Sequence, residues 1–465
     1  MAPFSSDETR VLVPAGALGS GVRADEVEAG LLLAPHAIAV DAGSTDSGAA
    51  YLATGKAKYS RQAVKTDLAI LMAARARARI PLLIGSCGTS GCDAAVDWTL
   101  DIAREIAAEQ GRAARIAVLY SEQDKAVLKA KAAAGRIRPL APMGPVTEAD
   151  IDRCEHIVAL LGAEPYRAAL DAGADIILGG RTTDTAVLAA VPLNRGAAAS
   201  AAWHAAKVAE CGGLCTENPT RPGVMMSVDA EGFSIAPLWA GNRCTPYTVS
   251  AHMLYENSDP FRLVEPGGVL DVTEARYAAL DARTVRVTGS RFEPAPYTLK
   301  LEGAGGGPFQ TFMLVGIADP AVLADVDAFV ARMHHALTQR LARNLADAAA
   351  DVHISLRPYG WNAVLGRPAA EGPPPREIGL MFVATAPTQA LATEAAKVCN
   401  PFFFHLPVRE GKELPSYGFP FSPAEIERGQ VFEFLLNHVV ETDMPLELVR
   451  TRWVDLAQSE VDAHA

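Results

Sequence analysis

The chain has 465 residues, of which 49% are hydrophobic, and its 42 basic and 54 acidic residues give a formal net charge of -12. A negative surface does not attract nucleic acid or an anionic membrane, so neither is expected as a main partner. The opening residues MAPFSSDETR lack an apolar signal core, and no later segment has the roughly 18 to 20 uninterrupted apolar residues that cross a bilayer. With only seven cysteines, the chain is expected to be cytoplasmic, with reduced thiols.

Residues 10 to 213 alternate short apolar runs with longer amphipathic or alanine-rich segments, which is typical of repeated βα units around a parallel sheet. The runs are apolar throughout, which indicates strands buried on both faces. The predicted strands are residues 11–14, 37–40, 80–84, 117–120, 157–161 and 176–178. Helices are predicted after Arg23, Arg61 and Cys92, and the last of them should end at Gly111, because helices often stop at glycine.

Near residue 220 the composition changes to β-branched and aromatic runs interrupted by glycine and proline. We therefore predict an α/β domain over residues 1–220, with an N-terminal parallel sheet of βα units, and a C-terminal α+β domain over residues 221–465. The second domain should hold a long helix to about residue 348, strands at 352–356 and 378–384, and a helix at 388–398. A loop is expected at AAEGPPPRE, residues 369–377, and helical structure after residue 422.

Three strand ends of the first domain carry loops rich in glycine, hydroxyl groups and aspartate. In an open parallel sheet these loops share the carboxyl edge, where ligands bind. Glycine lets backbone amides approach a ligand, and hydroxyl groups donate to oxyanions. The predicted substrate-binding residues are Gly43, Ser44, Thr45, Gly88, Thr89, Ser90, Arg181, Thr182 and Thr183. The alternative is that such residues only form turns and helix caps.

The predicted catalytic residues are Asp46, Cys87 and Asp184. The two carboxylates can move protons, and Cys87 comes shortly before a predicted helix, whose N-terminal amides would stabilise a thiolate. Cys87 is equally compatible with a small side chain packed beneath a turn. Arg181 offers a fork suited to a carboxylate or a phosphate. His252 precedes a polar cluster and is the best histidine candidate, although a structural histidine would explain it as well.

Cofactors and metals are left open by the sequence. The three loops contain no P-loop motif, and the turn after the first strand does not match the Rossmann fingerprint. Asp41, Asp46 and Asp184 could hold a hard divalent cation if the sheet edge brings them together. The cysteine spacings CxxxxC from Cys87 and CxxxC from Cys211 match no strong zinc or iron-sulfur motif.

Seven stretches of the chain, in order, resemble the acyclic terpene utilisation proteins, the AtuA-like family. They are VDAGSTDSGAAYL, IGSCGTSGCDAAVDW, ADIILGGRTTDTA, KVAECGGLCTENP, MLYENSDPFRLVEPGG, APTQALATEAAK and FPFSPAEIERGQVFEFLLNHVV, which together span residues 40–440. The resemblance implies a place in bacterial catabolism of branched acids, originally acyclic terpenoid acids handled as coenzyme A thioesters. It implies no role for individual residues.

The leading hypothesis is a catabolic enzyme that acts on a small, branched carboxylic acid or its coenzyme A thioester, most simply by lyase or hydratase chemistry. Arg181 and the loop amides would bind the carboxylate or a developing enolate, and Asp46, Asp184 or Cys87 would move the proton. The alternatives are a cysteine-dependent acyl transferase or hydrolase and a non-catalytic substrate-binding or accessory subunit. A homo-oligomer is expected, a small accessory protein is an open partner, and coenzyme A would enter as part of the substrate.

Overall fold

The computed structural model describes residues 8–255, 257–366, 374–408, 411, 414 and 417–456. The chain folds into two compact units, Met1–Gly305 with Phe434–Ala465, and Gly306–Glu433. This division differs from the predicted boundary near residue 220, because β8 (Val224–Val228) pairs over its whole length with β1 (Thr9–Val13). The change in composition near residue 220 therefore marks a change of strand direction within the first unit.

The centre of the first unit is a run of five parallel strands in the order β1, β2, β3, β7, β4. Nearly all their residues are buried, as continuous apolar runs predict. The four strands that join β1 are β2 (Ala37–Asp41), β3 (Leu82–Gly85), β4 (Ala114–Tyr120) and β7 (Ile176–Gly179). The helices of this region are α1 (Ala24–Leu31), α2 (Ala50–Thr54), α3 (Arg61–Ala78), α4 (Asp93–Gln110), α5 (Lys125–Ala133), α6 (Glu148–Arg153), α7 (Glu164–Asp171), α8 (Ala186–Asn194) and α9 (Ala199–Ala209).

Antiparallel strands extend this sheet at both edges, so it is mixed and not purely parallel as expected. Beyond β1 lie β8, β9 (Gly232–Pro237), β13 (Val285–Thr288) and β12 (Arg276–Ala279). Beyond β4 lies β20 (Arg450–Leu456). The predicted strand at 157–161 is β6 (His156–Ala159), which pairs with β15 (Thr298–Ile317) outside the main sheet. The chain is therefore a mixed α/β protein.

The first unit also contains a small antiparallel sheet that follows the helix α10 (Pro246–Ala251) in the chain. It consists of β10 (Arg262–Glu265), β11 (Gly268–Asp271) and β14 (Arg291–Pro294). The short strand β5 (Ile137–Pro139) pairs with the last residues of β19 (Ile426–Glu441). These additions matter for function because β10 and β15 carry buried carboxylates described below.

The second unit is built on the later residues of β15, which pair with β17 (Ile378–Ala386), while β17 pairs with β16 (His353–Tyr359). The remaining elements of this unit are α11 (Pro320–Leu323), α12 (Val326–Leu345), α13 (Gln389–His405) and β18 (Tyr417–Gly418). The predicted helices and strands at 326–398 agree with α12, β16, β17 and α13, and residues 369–373 of the predicted loop lie outside the described residues.

The predicted helical structure after residue 422 is wrong, because β19 and β20 follow there. The stretch VFEFLLNHVV within β19 is rich in β-branched and aromatic residues, which favour a strand. Within the part of the chain that the structure describes, no helix combines the length and the apolar character needed to cross a membrane.

Candidate active site

The loop that follows β7 borders a cavity of about 380 Å³ in the first unit. Three of the predicted residues, Arg181, Thr183 and Asp184, line this cavity directly after the strand ends. The other side chains come from the loop after β2, from the residue after β6, from α9 and its end, and from β10 and the chain leading into it. The charged lining residues are Asp46, Arg181, Asp184, Lys207, Glu210, Asp259, Arg262 and Glu265. A volume of this size suits a small-molecule ligand.

The three loops predicted to share the carboxyl edge do meet. Thr89 Oγ1 donates to the carbonyl of Ala42 at 3.3 Å, which joins the loop after β3 to the loop after β2. The backbone N–H of Arg181 donates to the carbonyl of Gly91 at 3.2 Å, which joins the loop after β7 to the loop after β3. The parallel order of β2, β3 and β7 produces this arrangement, as expected for strand-to-helix loops.

Only part of the predicted set reaches the cavity. Asp46, Arg181, Thr183 and Asp184 line it, whereas the other predicted substrate-binding residues are not lining residues, namely Gly43, Ser44, Thr45, Gly88, Thr89, Ser90 and Thr182. Thr89, Ser90 and Thr182 are almost completely buried, and Thr182 Oγ1 donates to the carbonyl of Gly180 at 2.8 Å. These hydroxyl groups hold the loops together, which is the turn-forming alternative considered above.

Arg181 is buried and engaged by carboxylates of the protein itself. Its Nε donates to Glu302 Oε2 at 3.2 Å, and its Nη1 donates to Asp184 Oδ1 at 3.1 Å. Glu302, on β15, also accepts from Lys300 Nζ at 2.9 Å and from Thr45 Oγ1 at 2.8 Å. Burial alone would raise the pKa of Glu302, but Arg181 and Lys300 outweigh it and hold that pKa at about 2. The charge of Arg181 is therefore balanced within the protein.

Lys207, Glu210 and Glu265 form a second group of charged residues that borders the same cavity. The charges of this group are balanced less completely. Lys207, on α9, donates to Glu210, and Thr185 Oγ1 contacts both carboxylate oxygens of Glu265 at 2.9 Å. Burial, reinforced by the charge of Asp184, raises the pKa of Glu265 to about 7. Burial also raises the pKa of Glu210 to about 8, against the opposing effect of Lys207. Two carboxyl groups that titrate near neutrality in a cavity can accept and donate protons.

Asp41 belongs to the supporting structure beneath the cavity. It ends β2 with 3% of its surface exposed, and its Oδ2 accepts from the backbone N–H of Gly43 at 2.8 Å. Its Oδ1 has no hydrogen-bond partner among the described residues. Burial, followed by the charge of Asp184, raises the pKa of Asp41 to about 8. Asp41 is not among the lining residues, and a carboxyl group with this pKa is mostly protonated near neutral pH.

Cys87 lies in the apolar core, with none of its surface exposed, and does not line the cavity. Burial raises the pKa of its thiol to about 12. A reactive cysteine needs an accessible thiolate, and neither condition is met here. The location agrees with the alternative in which Cys87 is a small side chain packed beneath the turn, and it gives no support to a nucleophilic role.

The aspartates expected to hold a cation, Asp41, Asp46 and Asp184, do not form a compact group of donor atoms within the described ranges. Two other sets of side chains do. In each set, one donor atom of every residue lies within 4.8 Å of the others, and the sets are Cys92 with Glu122 and His156, and Glu210 with Cys211 and His252. The candidate metal ligands are therefore these two groups and not the three aspartates.

His252, singled out in the sequence, is 5% exposed, and its Nε2 has no hydrogen-bond partner in the described part of the chain. Burial, with a smaller effect of Lys207, lowers the pKa of His252 to about 4. The imidazole is therefore neutral at physiological pH. It is not among the residues that line the cavity.

Four charged residues that line the cavity or bind its lining residues were not predicted from the sequence, namely Lys207, Glu210, Glu265 and Glu302. All are charged residues that end up buried, which is rare without a partner. The available indication was their context: Lys207 and Glu210 lie three residues apart in or beside an alanine-rich helix, and Glu302 lies in an apolar strand. Partners distant in sequence, such as Arg181 for Glu302, could not be read from that context.

The comparisons with known proteins give one family. A family model described as acyclic terpene utilisation family protein AtuA matches residues 40–409. No significant match was found among curated proteins or among solved structures. The matched range covers most of the chain and includes every charged residue that lines the cavity. The chain therefore belongs to the acyclic terpene utilisation (AtuA) family.

Proposed function

We propose that this protein is a catabolic enzyme that acts on a small, branched carboxylic acid or its coenzyme A thioester by lyase or hydratase chemistry. Membership of a family named for acyclic terpene utilisation supports the catabolic role and the branched substrate. The observation that carries the proposal is Glu265, a buried carboxyl group with a pKa of about 7, which lines an open cavity together with the ammonium group of Lys207. Such a group is suited to proton transfer.

Glu265 is the proton carrier in this proposal. Lyase and hydratase reactions next to a carbonyl require a proton to leave or join the adjacent carbon, and the resulting enolate oxygen needs a positive partner. With a pKa of about 7, Glu265 is present in both protonation states at neutral pH. It takes the proton from the carbon beside the carbonyl, while the ammonium group of Lys207 stabilises the enolate oxygen. Glu210 keeps Lys207 in place.

The lining of the cavity also fits a branched acyl group. Leu160, Leu263 and Val264 contribute apolar surface beside the charged groups. A cavity of about 380 Å³ holds a short acyl chain but not a whole coenzyme A molecule, so the nucleotide part of a thioester would lie outside it. Coenzyme A is in this view part of the substrate and not a resident cofactor.

Three residues that the sequence predicted to bind the substrate or move protons take different roles in this proposal, namely Arg181, Asp184 and Asp46. Arg181 positions the loops, since Glu302 and Asp184 already accept its hydrogen bonds. Asp184 raises the pKa of Glu265 through its charge. Asp46, which accepts from Ser44 Oγ at the exposed side of the cavity, contacts the substrate where it enters.

The decisive experiment is deuterium exchange at the carbon beside the carbonyl, followed by NMR for a panel of branched acids and their coenzyme A thioesters. This readout detects proton removal even when the complete reaction is unknown. Exchange catalysed by the wild-type protein and lost in Glu265→Gln supports the proposal, and the exposed Glu274→Gln serves as the matched control. Binding without exchange across the whole panel would instead identify a substrate-binding or accessory subunit.

A further inference from the structure

Three side chains that commonly bind metals meet near the start of α4. Cys92 directly precedes α4, Glu122 follows β4, and His156 begins β6. One donor atom from each of the three lies within 4.8 Å of the others. None of the three lines the catalytic cavity, so the group is distinct from the proposed active site.

The carboxylate of Glu122 is already oriented by two hydrogen bonds. Its Oε1 lies 2.6 Å from His156 Nδ1, and its Oε2 accepts from the backbone N–H of Asp93 at 2.8 Å. In metal sites a carboxylate that accepts from one ring nitrogen supports a histidine that binds the ion through its other nitrogen, so Glu122 becomes a ligand itself by exchanging this hydrogen bond for a bond to the ion. The ring of His156 and the start of α4 are thus connected through one carboxylate.

Gly55 leaves space next to two of the donor atoms. A Cβ atom placed on Gly55 would lie 3.4 Å from His156 Nε2 and 3.6 Å from Cys92 Sγ. Gly55 ends α2 with a φ of 65°, which by itself favours glycine, but its missing side chain also keeps this side of the group open. His156 Nε2 and Cys92 Sγ therefore border the same small space.

We propose that Cys92, Glu122 and His156 bind a divalent metal ion of borderline softness, with zinc as the best match. One thiolate, one imidazole and one carboxylate are ligands that zinc accepts in tetrahedral sites. Zinc bonds of roughly 2.0 to 2.3 Å place neighbouring donor atoms about 3.3 to 3.8 Å apart, so side-chain movements of about 1 Å complete the site. The side chains of His156 and Glu122 are 27% and 21% exposed, which gives solvent access for the ion and for a fourth, water ligand.

Neighbouring charges favour this group over Glu210, Cys211 and His252. In the latter, the ammonium group of Lys207 occupies the carboxylate of Glu210 and repels a second cation. Near the proposed site, Arg450 also acts on Glu122 through its charge, but it donates to Asp93 and to the backbone carbonyl of Glu122 and not to the three donor side chains. The metal would connect α4, the end of β4 and β6.

The experiment uses the full-length protein, stripped with a chelator and then titrated with Zn²⁺ in competition with a chromophoric chelator. We expect one ion per chain, and substitution with Co²⁺ should give the thiolate-to-cobalt charge-transfer absorption of one cysteine ligand. Cys92→Ala and His156→Gln should each weaken the affinity at least about tenfold and remove or shift the absorption. Zinc should also raise the Tm of the wild-type protein, because it binds the folded state.

Two pairs of variants serve as controls. Cys154→Ala and His353→Gln remove the same residue types elsewhere and should leave zinc binding unchanged. Cys211→Ala and His252→Gln test the competing group, and loss of the ion in these variants alone would overturn the proposal. So would a wild-type protein that binds neither Zn²⁺ nor Co²⁺ in a one-to-one complex at micromolar concentration. Circular dichroism of the metal-free variants shows whether each one is folded.

Discussion

Two groups of charged residues border the same cavity, and they differ in how completely their charges are balanced. In the first, Arg181 binds Glu302 and Asp184, and the pKa of Glu302 is held at about 2. In the second, Glu210 and Glu265 have pKa values of about 8 and 7. Burial is similar in both, so the difference comes from the number of cations available to each carboxylate. A fully balanced pair stabilises structure, whereas an incompletely balanced one can exchange protons.

The largest expected effect comes from breaking the balanced group with Glu302→Gln. Arg181 would lose a buried carboxylate partner, and the free energy of unfolding should fall by about 3 to 5 kcal/mol. Chemical denaturation measures this loss. Glu293→Gln, which removes a carboxylate from the exposed pair with Arg262, is the matched control and should cost less than about 1 kcal/mol. Equal losses in the two variants would contradict the structural role of Glu302.

The next largest effect is on the pH dependence of stability, to which Glu265 and Glu302 contribute with opposite signs. Glu265 has a pKa raised from 4.5 to about 7, so the unfolded chain releases this proton first, and stability decreases as pH rises between those values. The decrease from this group is on the order of 3 kcal/mol. Glu302 has a lowered pKa, so its contribution is present above pH 4.5 and is lost as pH falls toward about 2.

Denaturation curves at several pH values measure this dependence. The wild-type protein should lose stability between about pH 5 and pH 7, and Glu265→Gln should reduce that slope. Glu302→Gln should instead reduce the loss of stability below pH 4.5. Unchanged slopes in both variants would show that neither carboxyl group has the assigned pKa.

Glu265→Gln should also lower turnover, by about a hundredfold, because a general acid or base commonly contributes a factor of at least that size. The amide keeps the size of the side chain, so substrate binding should change much less than kcat. Steady-state kinetics on a substrate identified from the panel gives both quantities. A kcat within threefold of the wild type would exclude Glu265 as the proton carrier.

Asp184→Asn should have a smaller effect on turnover. This variant tests whether Asp184 acts through its charge on Glu265 or carries the proton itself. Removing the carboxylate of Asp184 lowers the pKa of Glu265, and Glu265 must be deprotonated to accept the proton, so the acidic limb of the rate profile should move to lower pH by less than about one unit. The maximal rate should fall less than about tenfold. A hundredfold loss without a shift of the profile would restore Asp184 to the catalytic role predicted from the sequence.

Cys87→Ala should have the smallest effect on turnover. Cys87 is inaccessible, so the variant should keep its rate within about threefold, and alkylation of the native wild-type protein should leave the activity intact. The loss of a small buried side chain should cost about 1 kcal/mol of stability. Abolished turnover in a folded Cys87→Ala protein would revive the cysteine-dependent mechanism.

The sequence predicted local structure better than the assembly of the site. Apolar runs ending in glycine-rich loops correctly indicated β2, β3 and β7, and their parallel order brought the loops together. The buried carboxylates could not be assigned, because Glu302 is separated from Arg181 by more than a hundred residues and Glu265 lies outside the βα region. The polarity of a loop also does not show which way a hydroxyl group points, so Thr89 and Ser90 were selected although both are buried.

The strand β20 has a consequence for how this protein is made. It pairs with β4 from Arg450 opposite Tyr120 to Leu456 opposite Ala114. Until β20 arrives, the outer edge of β4 presents unpaired backbone groups, and such an edge invites pairing with other chains. During synthesis, this edge emerges from the ribosome long before the strand that covers it. Removing β20 should therefore produce aggregation during expression, and a nascent chain stalled before residue 450 is expected to recruit chaperones.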